Sequence, residues 1–307
     1  MVCVTPPAGG PTGEVVLCRG VSWSGRRPVL DLSAVGGGES MRVPLPARLG
    51  WSVVSPMRYC VGFHGATGRT ACPRDAVALA GSRCRDCEAR EQFRFVHQAH
   101  VGGWVPAALE PYLAEPQWLY VATFADGRSK VGTATEHRRH ERIDEQGAVL
   151  AAFVVRAGNG RAVRELEDRV STELGLPQHR GRHSKVLAFT TLVDRTRVLA
   201  EHESAVRQVV DLVGVEGSEP EVWAPSLAAV PLADARGAHR WVPYPHDVTA
   251  GQHGFAVDAC CGPAALVRLR DQPDAVPYVV DLGALKGRRL VLGPFTSTEV
   301  DVQESLF

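Results

Sequence analysis

Between Trp118 and Glu167 the chain gathers a tyrosine, a lysine, several arginines and a helical glutamate, side chains suited to work on a phosphodiester. Tyr120 lies in the apolar run Trp118-Leu119-Tyr120-Val121-Ala122. A turn at Asp126-Gly127 and a return through Lys130-Val131-Gly132 follow it. Next comes Glu136-His137-Arg138-Arg139-His140-Glu141-Arg142, and further on Arg164-Glu165-Leu166-Glu167. In such a set a phenol or an amine manages a proton. A guanidinium neutralises an oxyanion, and a carboxylate holds a divalent ion that activates water. The same groups can also bind a nucleic-acid backbone without cutting it.

The elements that must position these groups follow from periodicity. Trp118–Phe124 and Ser129–Thr133 read as the strands of a hairpin. Thr135 is the N-cap of a short helix that ends before Gly147, and residues 148–155 form a buried strand. Arg161–Leu174 is a helix closed by Gly175. On it Val163, Leu166, Val170 and Leu174 form a core stripe, which places Glu167 beside the stripe and points Glu165 away. A carboxylate at the edge of a buried face is costly unless it is paired or holds a metal. Glu167 is therefore the candidate acid, and a salt bridge to Arg164 or Arg138 is the competing reading. Arg138 and Arg142 stand four apart and can clamp one phosphate together, whereas Arg139 projects toward solvent. Tyr120, at a strand centre, is equally a packing residue. A further helix over Asp194–Val213 carries an apolar stripe of Leu199, Val206, Val209, Val210 and Val213.

Four of the eight cysteines, Cys60, Cys72, Cys84 and Cys87, fall within 28 positions. Cys84-Arg85-Asp86-Cys87 is a CxxC, and Cys60 and Cys72 sit in turns rich in Gly and Pro. Structural Zn²⁺ held by four thiolates is the natural reading, with His64 as a substitute ligand. A Gly-rich segment with little core of its own needs such a staple. Four unconnected thiols, or a redox CxxC, is the alternative. Adjacent Cys260 and Cys261 read as a small-residue pair in a strand.

Composition narrows the class. The 34 basic and 34 acidic residues cancel, so a nucleic-acid surface must arise from local segregation of charge. From Asp126 to Lys185 there are 12 Lys and Arg against 9 Asp and Glu, a mild excess. Thirty-one of the basic residues are Arg; the lysines are Lys130, Lys185 and Lys286. That skew also follows from a GC-rich genome, so Arg abundance alone says nothing about phosphate. No apolar run is long enough to span a membrane. The first residues lack the regions of a secretory signal, so the expected location is cytoplasmic.

These residues resemble the GIY-YIG endonuclease superfamily. Leu119-Tyr120-Val121 stands at the first motif and Lys130-Val131-Gly132 at the second, in the phage-type form with Lys in place of the second tyrosine. Arg138, Arg139 or Arg142 corresponds to the helical arginine and Leu166-Glu167 to the metal-binding glutamate. The resemblance implies a Mg²⁺- or Mn²⁺-dependent attack of water on a phosphodiester, with DNA or RNA as partner. More closely, Lys130-Val131-Gly132-Thr133, Arg142 and Glu145-Gln146-Gly147-Ala148 resemble a bacterial zinc-binding family of unknown function. That family also carries a preceding cysteine segment, and the likeness spans roughly residues 55–190.

The expected fold class is α+β. Its parts are a β-rich N-terminal region (1–54), a zinc-binding segment (55–115), a GIY-YIG-like mixed α/β domain (116–214), a Pro- and Ala-rich linker (215–238) and a β-rich C-terminal region (239–307). Pro28–Val35 and Val276–Leu285 share a pattern that suggests a duplicated β-hairpin. Three functions follow. One is an endonuclease using Tyr120, Lys130, Arg138 or Arg142, and Glu167. Another is a non-catalytic, zinc-stabilised nucleic-acid-binding module. The third is a small-molecule enzyme or scaffold with a pocket near Trp241-Val242-Pro243-Tyr244-Pro245-His246.

Overall fold

Strands from the two ends of the chain interleave in one sheet. The computed structural model describes residues 13–36, 39–65, 68–78, 80–214, 219–233, 241–269, 275–298 and 300. Nine strands run in the order Val242–Pro243, Tyr278–Asp281, Ala264–Arg268, Gln252–Cys261, Arg48–Val53, Arg289–Leu292, Val15–Ser24, Arg27–Ala34 and Ser40–Pro44. All neighbours are antiparallel except the first pair. The β-rich ends, separate regions by sequence, thus form one sheet over a shared core that includes Leu30, Trp51, Leu266, Val280 and Leu290. The chain is α+β.

The proposed duplication does not extend to structure. Asp31, Leu32, Ser33 and Ala34 continue an extended strand, whereas after Asp281 the chain enters a 3-10 turn over Leu282–Leu285. Leu282 and Leu285 are fully buried there. The turn is how the second copy places both leucines inside.

A second sheet of four antiparallel strands holds the candidate residues, in the order Glu221–Trp223, Leu150–Ala157, Gln117–Thr123 and Ser129–Thr135. The segment read as a linker contributes its outer strand. Glu221–Trp223 pairs with Ala151–Phe153, Trp223 is buried, and a helical turn over Val230–Ala233 buries Leu232. Residues 215–218 and 234–238 of that segment lie outside the described residues. The central hairpin closes at Asp126-Gly127, where Gly127 takes φ +81° and the Asp126 carboxylate accepts from the Arg128 N–H.

Two helices pack on one face of this sheet. Gly160–Leu174 starts at Asn159, whose side chain accepts from the Ala162 N–H, and ends at left-handed Gly175. Arg195–Val213 starts at Asp194, which caps Thr196. Their buried residues Val163, Val170, Ala205 and Val209 meet Leu119, Val121 and Val131. Full burial of each valine contributes roughly 1.5–3 kcal/mol. The second helix is rotated from its expected stripe: Val198, His202, Ala205 and Val209 face inward, and Leu199 is 44% exposed. The reason is the neighbour, since Thr123 Oγ1 hydrogen-bonds His202 Nδ1 at 2.8 Å and draws that face in.

The opposite face carries Tyr120, Ala122, Ala134, Ala151 and Phe153, packed under Ile143 of the short helix Arg139–Gln146. This helix also docks the large sheet. The hairpin tip at Gly25-Arg26 has φ +54° and +62°, the two-residue turn that matches strand twist. Arg26 there donates from Nε and Nη2 to the two Asp144 oxygens at 2.9 and 3.1 Å.

Candidate functional site

Register places the hairpin side chains. Tyr120 faces Gly132 and Ala122 faces Lys130 across the pair, so phenol and lysine leave the same side of the sheet. The ring crosses Gly132: a Cβ there would stand 2.5 Å from both Cζ and Oη of Tyr120. Only glycine at 132 lets the phenol extend over the outer strand. That strand's edge is partly closed by chain returning from the site helix, where the Val131 N–H donates to the Pro177 carbonyl at 3.1 Å.

Tyr120 is fully buried, and its hydroxyl lies near the Arg142 guanidinium without a well-aligned hydrogen bond. Burial raises its pKa; the Arg142 guanidinium acts against that and the Glu167 carboxylate with it. Lys130 is 4% exposed, its Nζ lies 5.7 Å from the Tyr120 ring centre, and it donates to the Gln178 carbonyl at 3.0 Å. Burial, then Arg142, bring its pKa down to about 8, with Glu167 opposing. Tyr120, Lys130, Arg142 and Glu167 therefore share one electrostatic neighbourhood.

Glu167 occupies the middle of the buried stripe rather than its flank. Val163, Glu167 and Val170 are the inward residues, while Leu166 and Leu174 are only partly buried. Glu165 is exposed, as its phase requires. The Glu167 carboxylate is 3% exposed and accepts from Arg164 Nη1 at 2.6 Å. Burial raises its pKa, opposed first by Arg164 and then by Lys130. The carboxylate sits in a buried ion pair one helical turn long. Next to it Asp168 bonds His100 Nε2 and accepts from Gln178 Nε2 at 2.5 Å, which fixes the segment that receives Lys130.

Arg138 and Arg142 converge on one anion, and that anion is Glu145. Arg138 Nη2 reaches Glu145 Oε1 at 2.6 Å and Arg142 Nη1 reaches Oε2 at 3.4 Å. Arg138 also pairs with Glu141 at 3.6 Å. Arg139 does not face solvent. Its guanidinium packs 4.7 Å from the Trp118 ring and 4.9 Å from Phe153, and donates to Glu221 at 2.7 Å. The fourth strand, unseen in the sequence, supplies that glutamate.

The sequence reading missed Lys185, on the short helix Arg182–Leu187. Its Nζ donates to Gln146 Oε1 at 2.9 Å and lies 5.5 Å from the Phe124 ring centre. Burial first, then Lys130 and Arg142, bring its pKa down to about 7. The available signal was scarcity, since a chain with three lysines places two of them here.

The four cysteines form a second centre. All are buried, and their sulfurs lie within 4.8 Å of one another. Tetrahedral zinc with Zn–S near 2.3 Å separates its sulfurs by about 3.8 Å; Cys72 and Cys84 Sγ are 3.9 Å apart. The donor set fits one four-coordinate metal ion. Cys84 stands at the N-cap position and Cys87 in the first turn of the helix Arg85–Arg90, and the Gly62 N–H points at Cys60 Sγ at 3.4 Å. Burial pushes the Cys84 thiol up, but the Cys87 N–H and the neighbouring thiols outweigh it and bring it to about 7. His64 is engaged elsewhere: its Nε2 accepts from Arg69 at 3.1 Å. Cys260 and Cys261 are buried in their strand, as expected.

Two hollows lie away from these centres. A groove of about 490 Å³ is lined by Leu113, Ala114, Asn159 and Arg161 at the start of the site helix. Another, of about 70 Å³, lies among Phe189, Val198, Leu232 and Trp241. The latter is far below the several hundred Å³ of a small-molecule site. Tyr244 packs on His253, Phe255 and Tyr278 instead. Among the described residues no helix is long and apolar enough to cross a membrane. No protein-family profile, curated protein or solved structure matches this chain.

Proposed function

We propose that the chain acts on nucleic acid, binding the phosphodiester backbone through a GIY-YIG-like hairpin-and-helix unit braced by a zinc-stabilised segment. The observation that carries this reading is the hairpin that sends Tyr120 and Lys130 to one side across Gly132, with the charges of Arg142 and Glu167 acting on both. Arg138 and Arg142 hold Glu145 as a pair of guanidiniums would hold a phosphate. Cys60, Cys72, Cys84 and Cys87 would hold zinc, which supplies folding free energy rather than chemistry.

Binding ranks above cleavage because Mg²⁺ or Mn²⁺ does not fit the acid as it stands. Mg²⁺ takes near-octahedral oxygen coordination, whereas Glu167 offers one buried carboxylate already bonded to Arg164. One observation favours cleavage as a second reading. The buried Tyr120 hydroxyl stands beside the Arg142 guanidinium without a well-aligned hydrogen bond, and structural hydroxyls are ordinarily satisfied.

Anisotropy of labelled DNA and RNA oligonucleotides over a salt series is the test. Affinity should fall steeply with salt, fall further in Arg138→Ala/Arg142→Ala, and hold in Glu167→Ala. Salt-insensitive binding rejects the proposal. Cleavage of plasmid or RNA in Mg²⁺ or Mn²⁺ that is lost in Glu167→Ala promotes the second reading.

A further inference from the structure

The segment between the cysteine centre and the smaller sheet divides its side chains sharply. Its 3-10 helix, Phe93–Val101, buries Val96 and Ala99, and Phe93 and Val105 pack on that small core. His100 of the same helix bonds Asp168, which docks the segment on the Gly160–Leu174 helix. Arg94 and Phe95 stay outside the core, as does Trp104 beyond left-handed Gly102. Among the described residues Trp104 is the one exposed aromatic side chain, at 70%.

The ring is exposed and yet held. Phe95 meets it edge to face, with 5.1 Å between centres and 86° between planes. On Phe95 in turn rests the Arg94 guanidinium, 4.6 Å from the ring centre. Arg94 donates to the Glu88 and Ala89 carbonyls at 3.3 and 3.5 Å, which fixes it at the end of the Arg85–Arg90 helix. The Gly103 N–H donates to the Gln98 carbonyl at 3.1 Å and pins the chain just before the indole. Guanidinium, phenyl and indole thus form a short ladder whose last rung stands in water.

Charge selects the guest. Between Arg85 and Arg94 every acid has a partner: Asp86 pairs with Arg74, and Glu88 and Glu91 pair with Arg83. Arg85, Arg90 and Arg94 have no carboxylate among the described residues. Val101 is the sole other exposed large apolar side chain between residues 93 and 104, too little for the apolar core of a protein interface. An indole with unpaired guanidiniums beside it matches a flat base that carries a phosphate. Bases in a duplex stack on each other, so their faces are closed to such a ring.

We propose that Trp104 is a stacking platform for an unpaired base of single-stranded DNA or RNA, with Arg94 beside it for a backbone phosphate. The proposal rests on the action on nucleic acid for its ligand, but not on the Tyr120 hairpin. Through His100 and Asp168 the platform belongs to the same packed unit as the helix that carries Glu167.

The experiment is anisotropy titration of the full chain with a labelled mixed-sequence single strand and with the same strand annealed to its complement. Wild type should prefer the single strand. Trp104→Ala should bind the single strand about tenfold more weakly, the loss of one base stack, with duplex affinity and salt slope unchanged. Trp104→Phe should recover most of the affinity, and Arg94→Ala should lower the salt slope by about one. Should Trp104→Ala not fold, acrylamide quenching of wild-type tryptophan emission reads the same ring, since the other described tryptophans are less exposed. A saturating single strand should shield it and a duplex should not. Full single-strand affinity in Trp104→Ala, an equal loss on the duplex, or an indole still open to acrylamide at saturation overturns the inference. Sedimentation that shows a wild-type dimer dissociating in Trp104→Ala also overturns it, because the ring then belongs to a second copy. Salt-dependent binding that ignores Trp104 leaves the nucleic-acid reading standing, whereas no binding by wild type removes both. Strand binding that needs Trp104 and is untouched in Arg138→Ala/Arg142→Ala keeps the platform and removes the hairpin-and-helix unit from the reading.

Discussion

Tyr120 and Gly132 face each other across the hairpin, and the phenol fills the space that any side chain at 132 would need. A lone glycine in a well-paired strand ordinarily weakens it. Here it lets an aromatic ring pass over the neighbouring backbone and reach the edge of the sheet.

Gly132→Ala should therefore destabilise the chain by about 1–3 kcal/mol through overpacking. Urea unfolding of Gly132→Ala, Tyr120→Ala and the double variant checks the cause. The double variant should be clearly more stable than the sum of the singles implies. Strict additivity would mean that ring and glycine do not compete for that space.

The Arg164–Glu167 pair gives an asymmetric expectation. Arg164→Met leaves a buried carboxylate without its partner and should cost about 3–5 kcal/mol, whereas Arg164→Met/Glu167→Leu should recover most of the loss. Thermal melts of the three proteins measure it. A mild Arg164→Met would show that Lys130 alone compensates Glu167.

Metal removal should act on the cysteine segment first. Purified protein should hold near one equivalent of zinc, and Cys84→Ser should lose it. Chelation should expose residues 58–91 to limited proteolysis while the four-stranded unit keeps its circular dichroism. Retention of metal by Cys84→Ser would exclude that thiol from the set.

The two lysines also set a pH dependence. Their folded values, about 8 for Lys130 and about 7 for Lys185, lie below the ~10.4 of an unfolded chain. Between these values the unfolded state binds more protons, so stability rises with pH. The penalty is complete below about 7 and fades as pH climbs toward 10. Melting temperature followed from pH 6.5 to pH 9.5, with Lys185→Met alongside, reads it. The variant should show the smaller rise, and identical slopes would remove Lys185 from the account.

Much of the site's frame was legible from local pattern. The hairpin, both long helices and the Gly175 stop depend on residues close in sequence. The cysteine cluster followed from spacing and a lack of core. What depended on distant partners was not legible. A helical wheel set Glu167 beside the stripe, but sheet packing decides the inward face, and it chose Val163, Glu167 and Val170. Arg139 looked solvent-bound because the strand carrying Glu221 lies more than eighty positions away. Pairing of Val15–Leu17 with Arg289–Val291 leaves no local trace in either segment. Lys185 could have been noticed from its rarity, though not placed.

The strand Arg289–Leu292 lies between Val15–Ser24 and Arg48–Val53, in the interior of the nine-stranded sheet. During translation both neighbours leave the ribosome long before the piece that joins them. The hairpin-and-helix unit, made in between and closed by Glu221–Trp223, is complete while the larger sheet is still split. A stop codon just before Arg289 would therefore yield a polypeptide with its smaller sheet fully synthesised and two open sheet edges at the gap, prone to join another chain.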